Sequence, residues 1–230
     1  MKLLSDVSTD FQQKGHRALL VTLLVIILSS PFLQQHRTFG WLLAIFLLLM
    51  LSTAVRTVAG NARQYRIVMV LGVVALVPQF GVLIERSEWL DALRYGAMTL
   101  FLFWVCGLLL RDIIMRSNSV TLELILGAVN VYLMAGIGFA FAYGLIEHLQ
   151  PGSFTGLEQQ LNAAVDVLPF LYFSFVTLTT LGYGDITPLT SFATTASYLE
   201  AIFGQLYLAI MVARLVGLYI AKSVQAGDGN

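Results

Sequence analysis

Two glycines around a tyrosine, Gly182 and Gly184, stand in the run Thr-Leu-Thr-Thr-Leu-Gly-Tyr-Gly-Asp-Ile-Thr-Pro at residues 177–188. Glycine adopts positive φ without steric cost, so a backbone that alternates in hand at these positions can aim successive carbonyl oxygens at one axis. Such oxygens can replace the water around a dehydrated cation. Thr180 would add hydroxyl oxygens at the inner end. The run therefore predicts a site for a cation that is built mainly from backbone.

The neighbouring positions have supporting roles. Tyr183 would point away from the axis and brace the loop, and Asp185 would close the loop at its outer mouth. One chain supplies one strand of oxygens, so a closed ring needs several copies around an axis, as cyclic symmetry provides.

The chain around this run has the composition of a membrane protein, with 58% hydrophobic residues, 11% charged residues and a mean hydropathy of +0.82. A membrane-spanning helix needs ~20 mostly apolar residues. Six segments come near this length, at about residues 18–33, 39–55, 67–84, 92–110, 124–146 and 192–213. A seventh, at 167–181, is shorter and fits a re-entrant segment. The expected fold is an all-α integral membrane protein with six transmembrane helices, a re-entrant pore helix and a filter loop.

Lysine and arginine predict the orientation. If the N-terminus is inside, ten of the 13 basic residues fall in inner segments, and the outer segments keep only Arg37, Arg86 and Arg94. Basic residues favour the cytoplasmic side. We therefore expect a multi-pass plasma-membrane protein with both termini in the cytoplasm and the glycine-rich run near the outer face.

A short helix is expected to lead into the run. Asp166 is a good N-cap residue, and Pro169 is well tolerated in a first turn. This helix would end near Thr179, where the glycines begin. Its C-terminal end would carry roughly half a negative charge, which would help to hold a cation in a central cavity.

The sequence Thr-Thr-Leu-Gly-Tyr-Gly-Asp at 179–185 resembles the selectivity signature of potassium channels. In that signature valine occupies the position of Leu181, which contributes a backbone carbonyl, so leucine alters packing more than coordination. The resemblance implies a homotetramer that needs no cofactor besides the permeant K⁺. It also implies that K⁺ is held at the first four residues of a filter consisting of Thr180, Leu181, Gly182, Tyr183 and Gly184.

The resemblance divides the chain into three regions. Residues 1–116 are expected to be a four-helix transmembrane region with the topology of a voltage sensor, 117–222 a pore domain and 223–230 a short cytoplasmic tail. Span four carries no charge between Arg94 and Arg111, whereas voltage-gated channels carry regularly spaced arginines there. We therefore expect weak or absent voltage dependence, and we expect no ligand-binding domain in the short tail.

The last span holds four residues of interest. Glu200 is an ionisable group inside a membrane span, where a functional role is the default hypothesis. It could bond behind the filter, be held protonated, or simply be satisfied by a neighbouring helix. Gly204 fits either a gating hinge or close packing, Gln205 could face the cavity, and Arg214 could snorkel to the inner interface. Close helix contact is expected at four glycines: Gly136, Gly138, Gly204 and Gly217.

The function expected is passive, selective K⁺ conduction, with no enzyme chemistry. A non-selective cation channel is one alternative, although such channels typically lack the threonine at position 180 and carry a large cytoplasmic domain. A non-conducting, pore-like partner subunit is another. His16, His36 and His148 are scattered and are interpreted as surface residues, and Cys106, the single cysteine, is interpreted as packing.

Overall fold

The computed structural model describes residues 2–33, 40–58, 62–84, 87–116, 120–157 and 167–227. The described residues form seven helices and a two-stranded ribbon. In chain order these are α1 (Lys2–Leu33), α2 (Gly40–Val58), α3 (Ala62–Ile84), α4 (Glu88–Arg116), α5 (Leu122–Leu149), β1 (Phe154–Thr155), α6 (Leu168–Leu178), β2 (Thr187–Pro188) and α7 (Ser191–Gly227).

Within the described ranges, four helices are long and apolar enough to cross a membrane: Gln64–Gly81, Glu88–Met115, Leu122–Leu149 and Ser191–Ala221. They coincide with the last four predicted spans. The helix α1 begins at Lys2, far before the apolar segment expected to start at about Ala18, and its apolar part is the shorter stretch Gly15–Ser30. The prediction of a mostly helical membrane protein is confirmed, while the count of six spans stays a prediction.

The helix α5 lies at the centre of the chain and packs against α1, α4, α6 and α7. Of its spanning stretch 61% is buried, against 17% for α7, so α7 presents most of its apolar surface outward. Small residues on α5 allow this crowding. A side chain at Gly136 would meet the ring of Phe175 on α6, and one at Gly138 would contact Phe103 on α4. These two predicted contacts are confirmed, whereas nothing in the described chain lies within 4 Å of a Cβ placed on Gly217.

One arginine makes contacts within α4, and another, on α7, binds the end of α4. Arg94 is buried, lies 2.9 Å from Asp91 and sits 4.4 Å from the centre of the Tyr95 ring. Arg214 of α7 donates to the carbonyls of Ile113 and Ile114 at 2.9 and 2.8 Å. These carbonyls belong to the last turn of α4. Arg214, predicted to snorkel, therefore ties α7 to the C-terminal end of α4.

Candidate ion-binding site

The helix α6 leads directly into the candidate site. It spans Leu168–Leu178, with eight of its 11 residues buried. Pro169 lies in the first turn, where its missing N–H costs nothing. The N-cap is Val167, which makes no side-chain cap bond, so the assignment of Asp166 as N-cap is wrong, and Asp166 itself lies outside the described residues. The helix ends at the predicted place, with Thr179 as C-cap.

The loop after α6 alternates in backbone hand. Thr180, Gly182 and Gly184 have φ of +58°, +58° and +77°, while Leu181 and Tyr183 are not in this region. The positive φ expected at the two glycines is present. Two hydrogen bonds tie the start of the loop to the end of α6. The N–H of Thr180 donates to the carbonyl of Thr177, and the N–H of Leu181 donates to the carbonyl of Val176, both at 2.9 Å.

Thr180 is the unexpected member of this series. Positive φ in a β-branched residue is a strained conformation that costs roughly 1–3 kcal/mol and persists only where the surroundings enforce it. The N–H bond to Thr177 and a 3.3 Å bond from the side-chain amide of Gln205 to the Thr180 hydroxyl hold it there. Strain of this kind cannot be seen in a sequence, because threonine is not a residue that favours positive φ.

The outer end of the loop is fixed by Asp185. Its carboxylate accepts a hydrogen bond from the hydroxyl of Tyr172 at 2.6 Å and another from the N–H of Ile186 at 3.1 Å. Tyr172 lies on α6, so this bond ties the outer end of the loop to the helix that precedes the loop. Sequence reasoning missed Tyr172, although a tyrosine in an aromatic run is a signal, since its hydroxyl needs a polar partner. Tyr183, predicted to brace the loop, is 66% exposed in the single chain.

A short ribbon anchors the segment beyond Asp185. Thr187 pairs with Thr155, and Pro188 pairs with Phe154, in antiparallel register. Gly156 has φ of +81°, and a Cβ there would overlap the carbonyl oxygen of Asp185. Close approach of two backbones therefore requires this glycine.

The bond from Tyr172 holds the pKa of the Asp185 carboxyl below its usual range, and the backbone N–H of Ile186 acts in the same direction. A lowered pKa means that the bond stabilises the loop at pH values above the ordinary carboxyl pKa, and that this contribution is lost as the pH falls through the lower folded value. At neutral pH the carboxylate is charged and attracts cations to the mouth of the loop.

Tyr172→Phe is expected to raise the pH below which ion flux is lost. The reason is that the Asp185 carboxylate loses the hydrogen bond that lowers its pKa most. Flux measured in liposomes over a descending pH series checks this. Asp185→Asn is the matched control, since its side chain does not titrate and should remove this step. Loss of flux at an unchanged pH in Tyr172→Phe would show that the bond does not control the protonation of Asp185.

The inner end of the loop faces α7. A Cβ at Gly204 would overlap the carbonyl oxygen of Leu178, the last residue of α6. The helix α7 continues without a break from Ser191 to Gly227. Close packing therefore accounts for Gly204 in this structure, and a hinge at this position stays a prediction.

Glu200, which the sequence singled out, is fully buried one turn before Gly204. Its two carboxyl oxygens lie 2.5 Å from the hydroxyls of Tyr143 on α5 and Ser174 on α6. The neighbouring helices thus supply polar partners to Glu200, as expected if a neighbouring helix satisfies it.

The remaining candidates have structural surroundings. Cys106 is buried, as expected for packing. His16 is partly buried, and its backbone carbonyl accepts a bond from the side-chain amide of the buried Asn130 at 3.0 Å. His148 is half-buried, with its ring 6.4 Å from that of Tyr95, and His36 lies outside the described residues. Among the described residues there is no group of three or more histidines, cysteines or acids that could hold a metal ion.

Comparison with known proteins agrees with this geometry. Residues 128–221 match a family described as ion channel. The chain is also similar to the inward rectifier potassium channel Kirbac3.1 of Paramagnetospirillum magnetotacticum, with 35% identity over 103 residues, covering 43% of this chain and 30% of that protein. The chain thus spans less than a third of the length of this relative. No solved structure matches the chain. The resemblance seen at 179–185 is confirmed, and the segment 128–221, which contains α6, the loop and most of α5 and α7, is similar to ion channels.

Proposed function

We propose that this protein is a homotetrameric channel that passes K⁺ passively across the plasma membrane. The observation that carries the proposal is the alternating hand of the loop, with positive φ at Thr180, Gly182 and Gly184, directly after the buried helix α6. Rings of carbonyl oxygens from such loops replace the hydration shell of K⁺ in potassium channels. In this chain the K⁺ ions would be held at Thr180, Leu181, Gly182 and Tyr183.

A single chain leaves this loop uncovered, which supports an assembly around an axis. Leu181 is 54% exposed and Tyr183 is 66% exposed. The helix α7 likewise exposes large apolar side chains, which include Leu206 and Ile210. Neighbouring copies would cover these surfaces, and a ring of four matches the number of filter strands in potassium channels. Six spans with both termini in the cytoplasm complete the proposed topology.

The end of α6 gives electrostatic support. Its last carbonyls point towards the start of the loop and carry a partial negative charge. Four such ends around one cavity would stabilise a cation halfway across the membrane. Gln205, which already bonds the hydroxyl of Thr180 at 3.3 Å, would line the same cavity and share in hydrating the ion.

The test is flux from the purified protein in liposomes, with K⁺ and Na⁺ compared under the same gradient and with voltage, pH and membrane tension varied. We expect K⁺ flux to exceed Na⁺ flux strongly. Equal fluxes would instead make the protein a non-selective cation channel, and absence of flux under every condition would favour a non-conducting partner subunit.

The same preparation tests voltage dependence. Between Arg94 and Arg111 the helix α4 carries no charge that the membrane field could move. We therefore expect a near-linear relation between current and voltage from about −100 to +100 mV. Steep, sigmoidal opening over this range would contradict the expectation and would mean that charges elsewhere in the chain move with the gate.

A further inference from the structure

Behind the candidate filter, three helices meet at one buried hydrogen-bond chain. The Glu200 carboxyl on α7 lies 2.5 Å from the hydroxyl of Tyr143 through one oxygen and 2.5 Å from the hydroxyl of Ser174 through the other. The Ser174 hydroxyl lies in turn 2.7 Å from the carbonyl oxygen of Gly136 on α5. Glu200 and Ser174 are both fully buried.

The number of protons available to these four groups determines which group donates in each hydrogen bond. A serine hydroxyl carries one proton, and a carbonyl oxygen can only accept. At 2.7 Å the contact between Ser174 and Gly136 requires the serine proton to lie between them. The contact between Ser174 and Glu200 then lacks a proton unless the carboxyl group supplies one. A carboxylate would leave two oxygen atoms in contact at 2.5 Å with only lone pairs between them.

The surroundings of Glu200 lead to the same conclusion. An ionised carboxylate in a buried site needs a cation or several strong donors, because its hydration is lost. The partners that the structure gives Glu200 are two hydroxyl groups. The titratable groups of α5 that face it are the phenols of Tyr143 and Tyr132, which carry no positive charge, and α6 contributes the neutral Ser174. Short contacts of 2.5 Å occur with charged and neutral acids alike, so the proton count is the decisive observation.

We propose that Glu200 is a neutral carboxylic acid that donates its proton to Ser174 and so fastens α6 to both α5 and α7. The direction of donation runs from Tyr143 to Glu200, from Glu200 to Ser174, and from Ser174 to the carbonyl of Gly136. Glu200 is a positioning residue for the filter, and in this respect the inference rests on the proposed function. Its state of protonation does not depend on that function.

Infrared spectroscopy of the purified protein measures this protonation directly. We expect a carbonyl stretching band of a protonated carboxylic acid at neutral pH that is present in the wild type and absent in Glu200→Gln. Glutamine supplies an N–H donor and a carbonyl acceptor in the same places, so this variant should fold. Identical spectra of the folded wild type and variant in this region would show that Glu200 is ionised and would overturn the proposal.

Tyr143→Phe gives a second measurement that does not require a change at Glu200. Loss of the donated phenol proton should move the acid's carbonyl band to higher frequency, because a hydrogen bond at the carbonyl oxygen weakens the C=O bond and lowers its stretching frequency. A carboxylate has no band in that region to move, so an unchanged spectrum would also contradict the proposal.

Flux then separates this inference from the proposed function. Glu200→Gln should keep K⁺ flux within about threefold of the wild type, whereas Glu200→Ala, which removes the group that links the Tyr143 and Ser174 hydroxyls, should lower it by about tenfold or more. An acid band without any K⁺ flux would retain the neutral Glu200 and reject the channel. Normal flux without the band would retain the channel and reject the neutral Glu200.

Discussion

Replacing Gly182 with alanine is expected to abolish selective K⁺ flux. Gly182 has φ of +58°, and a Cβ at this position would meet no atom of the described residues of the same chain within 4 Å, so the effect within one chain comes from the backbone and not from a clash. An L-residue in this conformation costs roughly 1–2 kcal/mol, which four copies in one ring raise to roughly 4–8 kcal/mol. The loop would relieve this strain by turning the peptide away, which removes a carbonyl from the proposed ring. Flux of K⁺ and Na⁺ from liposomes measures the loss.

Gly152→Ala is the matched control for this variant. Gly152 has φ of +81° in the turn after α5, with no atom of the described chain within 4 Å of a Cβ there, so alanine would meet the same kind of backbone strain outside the loop. Both variants should lose comparable stability for each chain, but only Gly182→Ala should lose selectivity. Wild-type flux in Gly182→Ala, with a normally assembled protein, would show that the loop at 180–184 does not conduct ions.

Local signals in the sequence predicted the centre of the site well. Gly182 and Gly184 predicted positive φ, because no other residue adopts it as readily as glycine. They also predicted that α6 ends shortly before them, and the helix ends at Leu178. The apolar lengths of the last four spans predicted the four helices that are long enough to cross a membrane. In each case the information lies within a few residues of the feature it describes.

Features that depend on distant residues were not predictable in the same way. The bond between Tyr172 and Asp185 joins residues 13 apart, and that between Arg214 and Ile113 joins residues 101 apart. Nothing near Thr180 in the chain indicates its positive φ, since the bond from Gln205 that helps to hold it depends on how α7 packs beneath the loop. The prediction that Asp166 caps α6 was wrong. Aspartate is generally preferred at an N-cap, but in this helix Val167 occupies that position.

Glu200 combines both situations, since the residue is recognisable from local sequence but its partners are distant in the chain. The sequence alone identified it, because an ionisable residue inside a membrane span is costly. Its partners on α5 and α6 could not be read from the sequence, since Tyr143 is 57 residues away and Ser174 is 26 residues away. A buried acid of this kind is therefore easy to find and hard to interpret without the packing of all three helices.

Gly204→Ala is expected to destabilise the protein, although alanine normally favours a helix. The added Cβ would overlap the backbone carbonyl of Leu178, which also accepts a 3.3 Å bond from the hydroxyl of Tyr132. Backbone cannot rotate away as a side chain can, so either α7 or the end of α6 must shift. Overpacking of this kind costs roughly 1–3 kcal/mol in each chain. Because Leu178 lies two residues before Thr180, the first residue of the proposed filter, we expect the thermal unfolding temperature and K⁺ flux to fall together.

Gly217→Ala on the same helix isolates this effect from helix propensity. No atom of the described chain lies within 4 Å of a Cβ at Gly217, so alanine there should stabilise α7 by roughly 0.5–1 kcal/mol. The two variants make the same chemical change in one helix and should shift the unfolding temperature in opposite directions. A gating hinge at Gly204 predicts a different pattern, in which Gly204→Ala keeps its stability and changes only the fraction of time that the channel is open. Equal unfolding temperatures for the two variants would therefore reject close packing against Leu178 as the reason for glycine at this position.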